Sequence, residues 1–479
     1  MGAGYDVAVI GAGIIGAATA RELMRYDLSV VILEKANDVS CGVTKANSGI
    51  VHAGHDALPG TNKAFHNVRG NALYDIWSKE LDFPFRRNGS FVLFHDDKEK
   101  EQAKKLYERG AQNGVAEMEL IGYEKVHELE PNLKTTVRGA LWLKTGGITC
   151  PFEFAIAACE NAVKNGAVIR TSTKAEAIER RGDGFDIATS KGHIRSRAIV
   201  NAAGLFADDI NNMISEKKLR IIPRRGQYML MDNAAGAFFA RTLFNVPDRM
   251  GKGVLISPTV DGNLFLGPTA EDIDDKEDTS TTPEGMRYIE EQARLNWDYP
   301  DGRWISQFAG LRPHLSEGND FIIGETEPGF FNACGIESPG LTAAPAIGET
   351  LSKEVAAYLN AGRNAGFDPI RKAIPRFRTM TETQRKKAIA DDIRYSHVLC
   401  RCEQVTEAEV VDAVRRGART LDAVKRRTRA GMGKCQRGFC GPEALAIIAR
   451  ELGVDKSMVL QGEEGTEILT GRIGGVRHD

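Results

Sequence analysis

Tyr5-Asp6-Val7-Ala8-Val9-Ile10-Gly11-Ala12-Gly13-Ile14-Ile15-Gly16 opens the chain, and Leu28-Ser29-Val30-Val31-Ile32-Leu33-Glu34 follows shortly after it. Residues 5–10 read as a β-strand, 11–16 as a glycine turn, 17–26 as a helix, and 28–33 as a second strand ending at Glu34. That is a βαβ opening. Gly11 allows the tight turn, Gly13 lets the backbone approach a pyrophosphate, and Gly16 allows close helix–strand packing. The helix N-terminus offers N–H donors and a positive dipole to phosphates. The Glu34 carboxylate can accept from ribose hydroxyls, which argues against a 2′-phosphate and so against NADP. Strand, helix and acid in register predict dinucleotide binding. The motif by itself does not separate FAD from NAD.

The second half of such a fold arrives only after roughly 200 residues. There a strand at 198–200 runs into Asn201-Ala202-Ala203-Gly204. A third glycine-rich stretch, 335–348, precedes a helical segment at 349–359. Two blocks of different texture lie between. Residues 86–147 carry a charged helical run at 98–112. Residues 221–313 are rich in strand patterns, such as Tyr228-Met229-Leu230-Met231 and Leu264-Phe265-Leu266. They also hold an acidic loop, 271–278, which reads as a solvated surface without a function. The predicted fold class is α/β. A Rossmann-like dinucleotide-binding domain (1–85, 148–220 and 314–367) is interrupted by an antiparallel β-sheet substrate domain (86–147 and 221–313). Residues 368–394, polar and basic with Pro369 and Pro375, read as a linker. A small helical four-cysteine domain, 395–479, follows.

Composition bounds the function. At 479 residues the chain is long enough for two to four domains. Hydrophobic residues make up 42% and charged residues 27%, which excludes global disorder. Lys+Arg is 63 against Asp+Glu 65, so nothing favours nucleic acid as a partner. From residue 371 onward the net charge is about +7, against about −9 before it. The tail is therefore suited to an acidic surface, on a partner or on the chain's own body. There is no apolar run of about 20 residues, so no transmembrane segment is expected. The apolar stretch 7–20 follows Asp6 and lacks a basic flank, so it reads as strand and helix rather than signal peptide. The expected location is cytoplasmic, with peripheral membrane association only through a partner.

Eight cysteines divide into two sets. Cys41, Cys150, Cys159 and Cys334 are scattered and read as small apolar residues. The others form Cys400-x-Cys402, then 32 residues, then Cys435-x4-Cys440. In a reducing compartment paired cysteines suggest a metal or cluster rather than disulfides. Four thiolates suit a [2Fe–2S] cluster. Structural zinc also takes four cysteines, but usually with two to four residues between the paired ones; free thiols are the third reading. Gly431, Gly433, Gly438 and Gly441 give the backbone room to wrap sulfides. Thr406-x-x-Glu409 is a capping box, Thr420 caps a second helix, and Pro442 suits the first turn of a third at 443–452.

Several segments together resemble the FAD-dependent amino-acid-oxidase-like superfamily, which includes glycerol-3-phosphate and L-2-hydroxyglutarate dehydrogenases. They are the opening glycine motif, Asn47-Ser48-Gly49-Ile50-Val51-His52-Ala53-Gly54, Asn201-Ala202-Ala203-Gly204, Ala309-Gly310-Leu311-Arg312-Pro313, and Gly335-Ile336-Glu337-Ser338-Pro339-Gly340-Leu341-Thr342. The resemblance spans about residues 5–360. It implies FAD as cofactor. It puts Gly204 on the adenine–ribose side, Ser40, Thr44 and Ser48 along the pyrophosphate and isoalloxazine, and Gly340, Leu341 and Thr342 against the flavin pyrimidine at a helix N-terminus. It places His52 near the flavin, as the base that takes an alcohol proton or as a packing histidine; His55 could share the role. Arg312 matches the substrate-arginine segment, and guanidinium holds carboxylate or phosphate by two parallel hydrogen bonds. Arg225 is a second cationic candidate, Lys63 a third by likeness to hydroxyglutarate-type relatives, and Tyr228 a conceivable proton relay. The cysteine segment resembles the bacterioferritin-associated-ferredoxin-like [2Fe–2S] domain.

The expected protein is an FAD-dependent dehydrogenase. Its small anionic hydroxylated substrate would bind on Arg312, lose a proton to His52 and pass hydride to flavin N5. Electrons would leave through the cluster to an acceptor protein or quinone pathway. sn-Glycerol 3-phosphate is the preferred substrate, L-2-hydroxyglutarate or another 2-hydroxy acid the alternative, and secondary amino acids the third. Two other classes stay open: a non-catalytic FAD/iron–sulfur subunit, and a zinc-stabilised NAD-binding regulator.

Overall fold

The computed structural model describes residues 4–247, 253–298 and 304–471. Parts of the domain ranges above (1–3, 248–252, 299–303 and 472–479) lie outside the described residues. The chain divides into two compact units, residues 1–35 with 39–371, and 36–38 with 372–479.

The opening strand, Gly4–Ile10, has four consecutive buried residues, Val7 to Ile10. A strand buried on both faces needs neighbours on both sides, and it has them. The parallel order is Val168–Arg170, Val30–Leu33, Gly4–Ile10, Gly192–Asn201, Phe330–Cys334. An antiparallel hairpin, Ala175–Arg181 and Gly184–Thr189, pairs with the first half of Gly192–Asn201. The helix Ile14–Leu23 is buried throughout. It can be, because small residues line its contact with the helix Gly340–Leu359. A Cβ on Gly348 would lie 2.8 Å from the Ala18 carbonyl oxygen. That second helix begins nine residues earlier than the apolar periodicity at 349–359 suggests.

The two insertions build one nine-stranded sheet. Its longest pair is Ile221–Met231 against Trp304–Leu315, antiparallel, with Arg224 opposite Arg312. Among the described residues the expected antiparallel pattern has one exception. Thr242–Asn245 runs parallel to Ser90–Phe94. This parallel rung is where the strands of the second insertion join those of the first, so it follows from building one sheet out of two separate chain segments.

The second unit has its own apolar core, including Val410, Val411, Val414, Leu421, Val424, Leu445 and Ile448. Its helices are Glu382–Asp391, Glu407–Arg415, Leu421–Thr428 and Gly441–Leu452. The Glu409 carboxylate takes the Thr406 N–H and hydroxyl at 2.7 Å each. Thr420 accepts from the Ala423 N–H at 3.1 Å. Residues 368–394, read as a linker, are more ordered than their polarity suggests. Phe377 is buried, stacks on Tyr395 and donates its N–H to Glu409. Thr381 and Gln384 close a capping box on the helix after it.

Among the described residues no helix is long and apolar enough to cross a membrane.

Candidate active site

The glycine turn is built as its spacing requires. Gly11 has φ +104°, and a Cβ there would lie 2.5 Å from the Ala202 carbonyl oxygen. A Cβ on Gly16 would lie 1.9 Å from the Gly11 carbonyl oxygen. Gly13 faces Thr44 Oγ1, which accepts the Ile14 N–H at 3.0 Å. Thr44 thus satisfies one orphan donor at the helix start. Glu34 Oε2 accepts the Ala12 N–H at 2.8 Å. This bond uses one of the carboxylate's roughly four lone-pair sites. Gly204, with φ +60°, starts the turn after Asn201. The buried Asn201 amide holds that turn by bonds to the Ala207 carbonyl (2.7 Å) and Asn332 Oδ1 (2.8 Å).

Ser40 supplies the test of fit for a dinucleotide. It is fully buried, has φ +61°, and donates its N–H to the Ala12 carbonyl at 3.0 Å. Its hydroxyl has no hydrogen-bond partner among the described residues. A buried polar atom is seldom left so. A hydroxyl waiting beside the phosphate turn fits a bound pyrophosphate. Ser40→Ala is therefore expected to weaken FAD binding up to about tenfold, the worth of one hydrogen bond. The apoprotein should melt at an unchanged temperature. FAD titration and thermal melts of the apoprotein would check both.

At the other end, His52 follows the short strand Ile50–Val51. Its main chain is fixed on both sides. The His52 N–H donates to Thr342 Oγ1 at 2.9 Å, and its carbonyl accepts from Asn67 (3.1 Å) and Asn71 (3.0 Å). The ring Nε2 lies 3.3 Å from Ser338 Oγ. Phe244 lies beside the ring, with centroids 5.8 Å apart. His55 is buried against Gly110.

The helix Gly340–Leu359 places Gly340, Leu341 and Thr342 in its first turn. Tyr74 donates to the Leu341 carbonyl at 2.7 Å. Gly70 lets the neighbouring helix, Asn62–Leu81, cross that turn; a Cβ on Gly70 would lie 2.1 Å from the Thr342 oxygen.

Arg312 stands on the strand Trp304–Leu315. At Gly310 this strand crosses the 44–48 loop so closely that a Cβ would sit 1.9 Å from the Ala46 oxygen. Arg312 Nη2 donates to the Thr269 carbonyl at 2.7 Å, while its buried Nε has no partner among the described residues. Gly226 leaves room for the guanidinium. Tyr228 is buried and stacks on Phe308 at 4.8 Å. Burial pushes its phenol above the usual range, against the opposing pull of the Arg312 charge and a hydrogen bond with Ser48. The structure thus brings Ser48, Tyr228 and Arg312 together.

Two expected substrate cations are already satisfied. Arg225 is buried, and its guanidinium binds Glu271 (2.8 and 3.2 Å), Asp278 (2.8 Å) and Ser280 (3.1 Å). Both carboxylates come from the acidic loop read as mere solvated surface; it is a counter-ion strap. Its Asp272 also holds Arg224, at 2.6 and 3.0 Å. Lys63 binds Glu337 at 2.9 Å and Asn319 at 3.0 Å. Both cations are thus held by carboxylates, although the Lys63 ammonium keeps a third N–H beyond these two bonds. Among the described residues Arg312 makes no ion pair, so it alone of the candidates keeps its charge uncommitted.

Residues 6–354 match the FAD dependent oxidoreductase family, and residues 398–450 match the BFD-like [2Fe-2S] binding domain. The first match covers most of the chain. The chain belongs to the FAD dependent oxidoreductase family.

A glycerol 3-phosphate dehydrogenase of Caloramator mitchellensis is 49% identical over 475 residues, 98% of each chain. The mitochondrial L-2-hydroxyglutarate dehydrogenase of Caenorhabditis elegans is 30% identical over 277 residues, 56% of this chain and 63% of that one. Among solved structures, a dithionite-reduced L-alpha-glycerophosphate oxidase from Mycoplasma pneumoniae with FAD bound superposes with a TM-score of 0.73 at 29% identity. It covers 77% of this chain and 98% of that one. As an FAD-dependent oxidoreductase, the chain needs a cradle for the dinucleotide pyrophosphate, and the glycine turn with Ser40 suits one.

The four paired cysteines also cluster. Cys402 Sγ lies 3.9 Å from Cys435 Sγ. The Cys400 thiol is pulled down to about 6 by its hydrogen bond with Cys440, while that bond and burial push Cys440 up. Gly433 has to be glycine, since a Cβ would lie 2.3 Å from Cys402 Cβ.

Proposed function

We propose that the chain oxidises sn-glycerol 3-phosphate to dihydroxyacetone phosphate. The observation that carries this substrate is the 49% identity with a glycerol 3-phosphate dehydrogenase over 98% of both chains, cysteine module included. The uncommitted charge of Arg312 supports it. The guanidinium offers planar N–H donors to the phosphate oxygens, and its buried Nε gains the partner it lacks. His52 Nε2 takes the proton of the C2 hydroxyl by way of Ser338, whose hydroxyl lies 3.3 Å from it and passes its own proton on as it receives the substrate's. Thr342 fixes the His52 backbone and so the distance from base to substrate. The N–H groups opening the Gly340–Leu359 helix favour negative charge that develops beside them. FAD, when bound, supplies the two-electron acceptor for the C2 hydride.

The four cysteines fit a [2Fe–2S] cluster, which would pass electrons singly to an acceptor protein or quinone pathway. Zinc is the rival occupant of the same thiolates.

The likeness to L-2-hydroxyglutarate dehydrogenases favours a second reading, with Arg312 holding a carboxylate. Anaerobic mixing separates the two. Glycerol 3-phosphate alone is expected to bleach the flavin absorbance. Bleaching by L-2-hydroxyglutarate alone would move the chain to the hydroxy-acid reading. Silence from both would leave a non-catalytic subunit or an amine substrate.

A further inference from the structure

We propose that Glu337 is a positioning residue, which couples the anion-binding strand of Arg312 to the hydroxyl that steadies His52. This rests on the reading of His52 and Arg312 as substrate-site residues.

Glu337 Oε1 is shared by two nitrogen donors from separate parts of the fold. Lys63 Nζ, near the start of the helix Asn62–Leu81, lies at 2.9 Å. His314 Nδ1 lies at 3.2 Å. His314 is two residues beyond Arg312 on the same strand, so both project from the same face. All three partners are largely withdrawn from water, with Lys63 11%, Glu337 12% and His314 19% exposed. Burial pushes the Glu337 carboxyl up, but Lys63 and His314 outweigh it and hold it below its ordinary range. The carboxylate is a fixed charge between two segments.

The main chain of Glu337 is equally committed. Its N–H donates to the Gly335 carbonyl at 2.8 Å, and its carbonyl accepts the Gly340 N–H at 2.5 Å. The next residue is Ser338, whose hydroxyl lies 3.3 Å from His52 Nε2. One residue therefore ties together the Arg312 strand, the Asn62–Leu81 helix, the first helical N–H of Gly340, and the partner of the base. A buried ion pair adds little net stability, because desolvation offsets its attraction. Holding Ser338 and His314 in register gives it a use beyond stability.

Glu337→Gln keeps the shape and removes the charge. The limiting rate of anaerobic flavin reduction by glycerol 3-phosphate is expected to fall about tenfold or more, as for a small misplacement of a reacting group. KM should change little, and FAD content should be unchanged. The loss also strands the Lys63 charge, so Lys63→Met/Glu337→Gln serves as the second variant. It should restore the melting temperature but leave the rate low. Recovery of the rate in the double variant would reduce Glu337 to a counter-ion and overturn the proposal, as would an unaltered rate in Glu337→Gln. A crystal structure of the Glu337→Gln holoenzyme tests the geometry whichever substrate reduces the flavin. Ser338 Oγ should leave His52 Nε2; a retained contact overturns the coupling. Wild-type flavin that glycerol 3-phosphate does not reduce would count against the proposed substrate, not against this geometry.

Discussion

Replacing Arg312 by leucine is expected to raise the KM for glycerol 3-phosphate by about a hundredfold or more, while the protein keeps its FAD and its melting temperature. A charge-assisted hydrogen bond contributes roughly 1.5–3 kcal/mol, and guanidinium can make two to one phosphate. About 3 kcal/mol corresponds to roughly a hundredfold in affinity. The stability side follows from what Arg312 leaves behind. Its one hydrogen bond among the described residues goes to the Thr269 carbonyl, and no carboxylate is stranded when it is lost. Arg225→Leu is the informative contrast. It would strand Glu271 and Asp278, so it should lower the melting temperature before it touches KM. Arg312→Lys should recover only part of the affinity, because a point charge does not reproduce the planar fork. Steady-state rates with an artificial acceptor, together with the flavin-to-protein ratio, would measure all of this. An Arg312→Leu enzyme with wild-type KM would remove Arg312 from the site.

That contrast also marks where sequence reasoning stops. Arg225 and Arg312 look alike as letters, each within two residues of a glycine in a strand pattern. Their difference lies in who stands opposite. The acids that neutralise Arg225 are 46 and 53 residues away in the chain, brought in by the antiparallel register of Ile221–Met231 with the 271–272 segment. Cross-strand pairing is decided by that register, which no local pattern discloses. The glycine motif was legible for the opposite reason. Its constraints are local and steric, and the short approaches at Gly11 and Gly16 show them met. Glu337 sat unremarked inside Gly335-Ile336-Glu337-Ser338, because a buried acid cannot be told from an exposed one by spacing. Its one signal was a charge inside an otherwise small and apolar turn. The order within 368–394 was hidden similarly. Polar, basic composition describes the surface of the Glu382–Asp391 helix, while two buried apolar residues, Ile374 and Phe377, anchor the segment.

Cys400→Ser is expected to strip the C-terminal unit of its metal while sparing the substrate half-reaction. Cys400 is 1% exposed and ends the strand Val398–Cys400, so it belongs both to the thiolate set and to the apolar core. A serine oxygen is a poor replacement for a soft sulfur ligand. If the thiolates hold a [2Fe–2S] cluster, iron should fall from about two atoms per chain towards none, and the brown absorbance should disappear with the flavin bands intact. Metal binding contributes to folding free energy in small modules. The variant's C-terminal unit should therefore unfold at lower temperature than the rest of the chain. Flavin reduction by substrate should proceed at the wild-type rate, since His52 and Arg312 lie in the other unit. Reoxidation by a one-electron protein acceptor should slow markedly. If the wild-type protein instead carries about one zinc and no iron, the relay reading fails and the thiolates are structural. If it carries iron and reoxidation is unaffected by its loss, the cluster holds the unit together and electrons leave from the flavin directly.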